Sequence, residues 1–174
     1  MTTMLDDLQH KKWFVLMTRP RAEKQVGGRL TENNFENFVP LQRQLKQWHD
    51  RKKWVETPLF NSYIFVRTTD QQRNQVFNIN GITKYVSIGG QVCTLTTTEI
   101  ERIKRLCSFN GQVKIEQGRL QTGDEIEIID GHFAGLHGHL LTTSTNNKIK
   151  ISIASLNCFA TVELDINNVQ KIIA

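Results

Sequence analysis

Three histidines crowd one stretch of the chain, His132, His137 and His139, with Asp130 just ahead of them. These are metal-ligand types, but within one strand only His137 and His139 share a face, and no cysteine joins them. The cluster therefore reads as a polar turn and not as a metal centre. Gly27-Gly28 and Gly89-Gly90 lack the spaced glycines or Lys/Ser of a phosphate loop. No Ser or Cys sits in a nucleophile elbow, and no close carboxylate pair stands beside a His. The expectation is that this is not an enzyme, and that it uses no cofactor and no small-molecule substrate. The residues with chemistry to offer are of a binding kind. A basic arm from Arg43 to Lys53 ends in two tryptophans, Trp48 and Trp54, and runs into Thr57-Pro58-Leu59-Phe60. A strand over Ser62 to Arg67 follows, whose two-residue period puts Tyr63 and Phe65 on one face. Cations such as Arg51, Lys52 and Lys53 beside Trp48 suit phosphate contacts and base stacking. An exposed aromatic face suits a protein partner.

The elements that must position these groups follow from pattern. Lys12 to Thr18 is a buried strand, and Pro20 suits the first position of a helix carrying Ala22, Val26 and Leu30 to about Asn33. Gly27-Gly28 inside that helix costs roughly 1 kcal/mol per glycine relative to alanine, so either a neighbour packs closely there or the helix is weak. Phe35 to Leu41 is a second strand interrupted by Pro40, and Gln42 to Glu56 an extended hairpin turning near His49-Asp50. Asp70 to Phe77 is a short helix and Ile82 to Ile88 a strand. Thr96-Thr97-Thr98-Glu99 caps a helix carrying Ile100, Ile103 and Leu106. This order predicts an α+β domain, an antiparallel sheet flanked by helices, over residues 11–108 behind a loose leader at 1–10.

Residues 109–119 are polar, hold two glycines and show no period, so they read as a linker. From residue 120 to 174 the texture changes to short β runs: Glu125 to Ile129, Leu136 to Thr143, Lys148 to Ile153, Phe159 to Leu164 and Val169 to Ile172. Turn signals at Asp130-Gly131 and Asn146-Asn147 and a polar break at Asp165 to Asn168 divide them, which predicts a small five-stranded β-barrel.

Charge divides the same way. Residues 11–108 hold 17 Lys/Arg against 8 Asp/Glu, and residues 109–174 hold 5 against 7. A net +9 half joined to a −2 half implies two surfaces with different partners, the alternative being scatter over a solvated surface. No run of 18 apolar residues exists, so no membrane partner is expected, and MTTMLDDLQHKK is not a signal peptide. Cys93, Cys107 and Cys158 are odd in number and lack a C-x-x-C pair, which fits packed thiols in a reducing cytoplasm.

The order Trp13-Phe14-Val15, Pro40, Pro58-Leu59-Phe60, Tyr63-Ile64-Phe65-Val66 and Val86-Ser87-Ile88-Gly89-Gly90 resembles the N-terminal domain of the NusG family of transcription elongation and antitermination factors. Gly123-Asp124 and the run Ile129 to Gly138 resemble the KOW motif that opens the family's C-terminal barrel. The arm QWHDRKKWVETPLF looks closest to the specialised RfaH-like and UpxY-like paralogues, which act on selected long operons such as polysaccharide clusters. One departure stands out: Asn61-Ser62 replaces the Pro-Gly that usually follows the Phe, which leaves the local turn and the placement of Tyr63 open.

The resemblance implies that Tyr63, Phe65 and Ile88 bind the clamp helices of RNA polymerase's largest subunit. It implies that Arg19, Gln72, Arg73 and Asn74 meet the exposed non-template DNA strand. The charge of Arg51, Lys52 and Lys53 beside Trp48 suits added sequence-independent contacts to that strand or to upstream DNA, the alternative being a solvated hairpin. Gly131, Gly135 and Gly138 stand where a tight turn and a barrel corner need positive φ or close strand approach. In the family the barrel recruits a small-subunit ribosomal protein or the termination factor Rho, and nothing in the sequence selects between them. One RfaH-type member stores this domain as a helical hairpin. Here the β-branched Ile149, Ile151, Ile153, Val162 and Ile166 favour the barrel. The alternative function is a ribosome-associated RNA-binding protein using the KOW barrel, and the −2 charge of that segment argues against it.

Overall fold

The computed structural model describes residues 11–48, 50–118, 124–142, 147–164 and 166–172. They fall into two compact units, one within residues 1–41 and 57–100 and the other within 42–56 and 101–174. The first nine strands are β1 (Lys12–Thr18), β2 (Glu36–Phe38), β3 (Leu41–Gln47), β4 (Lys52–Pro58), β5 (Tyr63–Thr68), β6 (Ile82–Tyr85), β7 (Ser87–Ile88), β8 (Gln91–Val92) and β9 (Thr94–Leu95). The remaining six are β10 (Val113–Gln117), β11 (Asp124–Ile128), β12 (His137–Thr142), β13 (Asn147–Ile153), β14 (Cys158–Glu163) and β15 (Val169–Lys171). Two α-helices are described, α1 (Glu23–Glu32) and α2 (Thr97–Ser108).

The first unit is built on an antiparallel sheet ordered β2-β5-β1-β6, with β9 also pairing with β1. The apolar run of β1 is explained by its central place: Trp13, Phe14, Val15 and Leu16 are all buried, so both of its faces are covered. Phe14 pairs with Val66 and Leu16 with Ile64. These four pack with Val26 and Leu30 of α1 and with Val76 and Ile79 in one core. As expected from the period, Ile64 and Val66 face that core.

Three boundaries differ from the sequence reading. Helix α1 starts at Glu23 and not at Pro20, because Arg21 takes a left-handed φ of 63°, which helical geometry forbids. The second short helix is a 3₁₀ turn over Arg73–Asn78. The strand expected over Ile82 to Ile88 is cut into β6 and β7, and β7 turns back on β8 through Gly89 and Gly90 at φ 60° and 80°. The turn at Asn61-Ser62 is also settled. Ser62 adopts φ 62°, and its N–H donates to the carboxylate of buried Glu23 at 2.7 Å. A side-chain acceptor from α1 fixes there a backbone shape that glycine adopts without strain.

In the second unit β3 and β4 form a two-stranded ribbon. The other strands form one sheet in the order β10-β14-β13-β12-β11-β15, antiparallel throughout. Its core holds Ile126, Ile128, Phe133, Ile149, Ile151, Ile153, Ala160 and Val162. Five of these strands lie where the β runs were expected. The sixth, β10, comes from the segment read as a linker: V-K-I-E-Q pairs with β14 from Val113↔Val162 to Gln117↔Cys158. Gly131 and Gly135 have φ of 80° and 77°, and a Cβ on Gly138 would lie 3.0 Å from the Lys150 carbonyl oxygen. Turn and close approach each account for their glycines as anticipated.

Candidate functional site

Tyr63 opens β5, where it pairs with Met17, and Phe65 follows opposite Val15 on β1 and Phe38 on β2. Phe65 is 0% exposed. Its ring stacks on Phe38 at 5.9 Å and meets Phe60 edge-on at 6.1 Å, while Phe60 stacks on Tyr63 at 6.4 Å with the planes 8° apart. The expectation of an uncovered Tyr63/Phe65 face is corrected here: Phe65 is an interior residue because strand alternation assigns a face but does not say what covers it. Tyr63 is half-buried, and Ile88, at the tip of the β7–β8 hairpin, is 42% exposed. Phe60 was visible in the Pro-Leu-Phe motif, yet its part in holding Tyr63 is legible only from the stacking.

The polar candidates bracket β6. Arg19 leaves β1 exposed, and its N–H donates to the Gly81 carbonyl at 2.9 Å, just ahead of β6. At the other end of β6, the Arg73 guanidinium lies 6.0 Å from the ring centroids of Tyr85 and Phe14. Arg73 is thus half-buried and partly a packing residue. Gln72 and Asn74 are exposed, and the Gln72 N–H is held by the Thr69 hydroxyl at 3.2 Å. Arg19 and Arg73 thus stand by opposite ends of the four-residue β6. Phe77, missed in the sequence reading, is 45% exposed and stands edge-on to Tyr85 at 5.4 Å. On a 3₁₀ turn residues three apart eclipse, which sets Phe77 in line with Asn74.

Arg51, Lys52 and Lys53 belong to the second unit and are exposed at the tip of the β3–β4 ribbon. The Trp48 N–H donates to the Arg51 carbonyl at 2.8 Å and closes the ribbon. Its root is held inside the unit: the buried Gln42 amide donates to the Gly111 carbonyl at 3.0 Å. The arrangement supplies cations, amides and aromatic rings at surfaces, together with one apolar tip.

A family model described as transcription termination factor NusG matches residues 11–104, more than half of the chain. This chain belongs to the NusG family. It is 26% identical to the NusG transcription termination/antitermination protein of Streptococcus pyogenes serotype M3, over 97% of this chain and 100% of that one. It is 24% identical to the protein of the same description from Rickettsia conorii, over 92% and 90% of the two chains. Among solved structures it resembles Thermotoga maritima NusG with a TM-score of 0.53 and 24% identity, over 94% of this chain and 98% of the other.

NusG proteins are transcription factors that work with RNA polymerase, and the fold agrees: mostly strands, in two larger sheets and two short ribbons, with few helices. Two thiols point away from reactivity, since burial pushes Cys107 up to about 12 and raises Cys93 as well. The histidines are placed as neighbours of ordinary structure. His132 has its Nε2 2.7 Å from the Arg105 carbonyl, and His137 and His139 on β12 pair with Glu127 and Glu125 of β11. Among the described residues no helix is long and apolar enough to cross a membrane.

Proposed function

We propose that this NusG-family chain is an elongation and antitermination factor that binds the clamp helices of RNA polymerase's largest subunit through Tyr63 and Ile88, with Phe65 as the buried ring behind them. One observation carries the reading: the family match over residues 11–104 spans every one of these positions. Ile88 is the exposed apolar anchor, and Tyr63 is half-presented on Phe60, so a small apolar contact is available without unfolding anything. Arg19, Gln72, Arg73 and Asn74 meet non-template DNA, and Arg51, Lys52 and Lys53 hold phosphates there or upstream. Binding energy that is larger for the elongating than for the paused polymerase shifts the equilibrium toward elongation, with no chemical step. The basic arm supports a specialist of the RfaH-like or UpxY-like kind, acting on selected long operons such as polysaccharide clusters.

The second sheet is read as a KOW-type barrel. Its glycines at 131, 135 and 138 and its buried Ile149, Ile151 and Ile153 support that reading. The −2 charge of residues 109–174 favours a protein partner, a ribosomal protein or Rho, over nucleic acid.

Two measurements test this. Wild-type protein is expected to capture RNA polymerase from purified components, and the Tyr63→Ala/Ile88→Ala double variant to lose most of that capture; equal capture by both removes the site. A genome-wide occupancy map is expected to show signal on one or two long operons. Signal on every transcribed gene would make this a general factor instead.

A further inference from the structure

Three large apolar side chains are left in water on one ribbon: Leu45 and Trp54 at 48% and Trp48 at 58%. Among the described residues β3 and β4 pair only with each other, and a lone ribbon has no layer of its own to cover such groups. The Trp48–Arg51 bond sets the register. Antiparallel pairing counted back from it places Leu45 opposite Trp54 on one face, with Arg43 and Lys52. The other face receives Trp48, Arg51 and Lys53. The first face is internally satisfied in part, because the Arg43 guanidinium lies 5.0 Å over the Trp54 ring. The second carries the Trp48 indole at the free end of the ribbon, more exposed than either apolar side chain of the first face.

We propose that Trp48 is a stacking platform for an unpaired DNA base, with Arg51 and Lys53 holding the phosphates that flank it. The proposal rests on the nucleic-acid reading of Arg51, Lys52 and Lys53 and adds a ligand class to it. Charge selects the occupant: residues 43–53 carry five Lys/Arg against a single Asp, which complements a polyphosphate strand. An indole face accepts any base and needs that base out of its pair, so single strands are preferred over duplex and sequence matters little.

The test uses the full-length protein and fluorescence anisotropy with a labelled mixed-sequence oligonucleotide, single-stranded or as a blunt duplex. Wild type is expected to favour the single strand. Trp48→Ala weakens single-strand binding by about 5- to 150-fold, the value of one stacked base, at an unchanged salt dependence, and Trp48→Phe keeps most of the affinity. The Arg51→Gln/Lys52→Gln/Lys53→Gln variant instead lowers the slope of log affinity against log salt by about 2, near 0.7 per lost single-strand contact. If Trp48→Ala binds like wild type while the charge variant is weakened, the stacking role is overturned and the phosphate role stands. If neither variant changes binding, the nucleic-acid reading of the ribbon falls with it. Sedimentation of the free protein covers the other occupant: a dimer that Trp48→Ala makes monomeric, at intact DNA affinity, would assign the tip to a second copy and overturn the proposal.

Discussion

The phenol of Tyr85 donates a 2.6 Å hydrogen bond to the carbonyl of Arg73 and so fastens the 3₁₀ turn to the end of β6. The Arg73 side chain returns over the same ring, which makes the pair a clasp between the amide-rich turn and the sheet. Burial pushes the Tyr85 hydroxyl up to about 12, against an opposing pull from Arg73. The folded state thus resists ionisation of this phenol. Its contribution is complete below the unfolded value of about 10 and is lost as pH rises through 12. Tyr85→Phe is expected to cost about 1 kcal/mol in urea unfolding at neutral pH and to remove this group's share of the alkaline decline. The chain has two tyrosines, so absorbance titration of wild type and variant identifies the late-ionising one.

Fold and binding should separate cleanly between Phe65 and Ile88. Removing the fully buried Phe65 ring leaves a cavity among Phe38 and Phe60, and Phe65→Ala is expected to cost about 3–5 kcal/mol. Ile88→Ala trims an exposed hairpin tip and should stay within about 0.5 kcal/mol of wild-type stability while reducing polymerase capture. Urea unfolding and capture, measured on both variants, check this. Full capture by a normally stable Ile88→Ala protein would move the contact elsewhere.

Much of this was legible in residue patterns. The continuous apolar run placed β1, the two-residue period placed the faces of β5, and the tryptophan-bearing arm was recognisable as a hairpin. What escaped depended on contacts distant in sequence. Phe65 alternates just as an outward residue would, and only Phe38 and Phe60 show that it is inside. The V-K-I-E-Q of β10 alternates for only two periods between Gly111 and Gly118, too short a run in a polar segment to announce a strand, and it is β14, some 45 residues later, that recruits it. Phe77 figured only as the end of a short helix, whereas its turn is 3₁₀ and its ring exposed.

Adjacent glycines in α1 should respond in opposite ways. A Cβ on Gly27 would lie 2.5 Å from Val39 Cγ2, with Asn37 and Ile64 just beyond, and a β-branched neighbour has little freedom to swing aside. Gly27→Ala is expected to destabilise by about 1–3 kcal/mol through overpacking. Gly28 has nothing within 4 Å of that position, so Gly28→Ala should gain about 0.5–1 kcal/mol from helix propensity alone. Thermal unfolding of the two variants gives both signs in one experiment. A gain at both positions would mean that α1 and the segment before β3 pack more loosely than their distances indicate.

The start of α2 is fixed by a reciprocal cap. The Glu99 N–H donates to the Thr96 hydroxyl at 3.2 Å, and the Glu99 carboxylate accepts from the Thr96 N–H at 2.9 Å. The T-x-x-E spacing satisfies two orphan groups at once and puts a negative charge at the positive end of the helix. Glu99 is buried, so its loss also leaves the Thr96 N–H without this acceptor. Glu99→Ala is therefore expected to cost about 1–2 kcal/mol. Glu99→Gln, which keeps an acceptor at the same reach, should recover roughly half. Amide hydrogen exchange at Thr96 through Glu99 reads the effect locally: faster exchange confined to this turn in Glu99→Ala, partly restored in Glu99→Gln. Equal protection in all three proteins would show that α2 is held by its apolar face, Ile100, Ile103 and Leu106, and not by its cap.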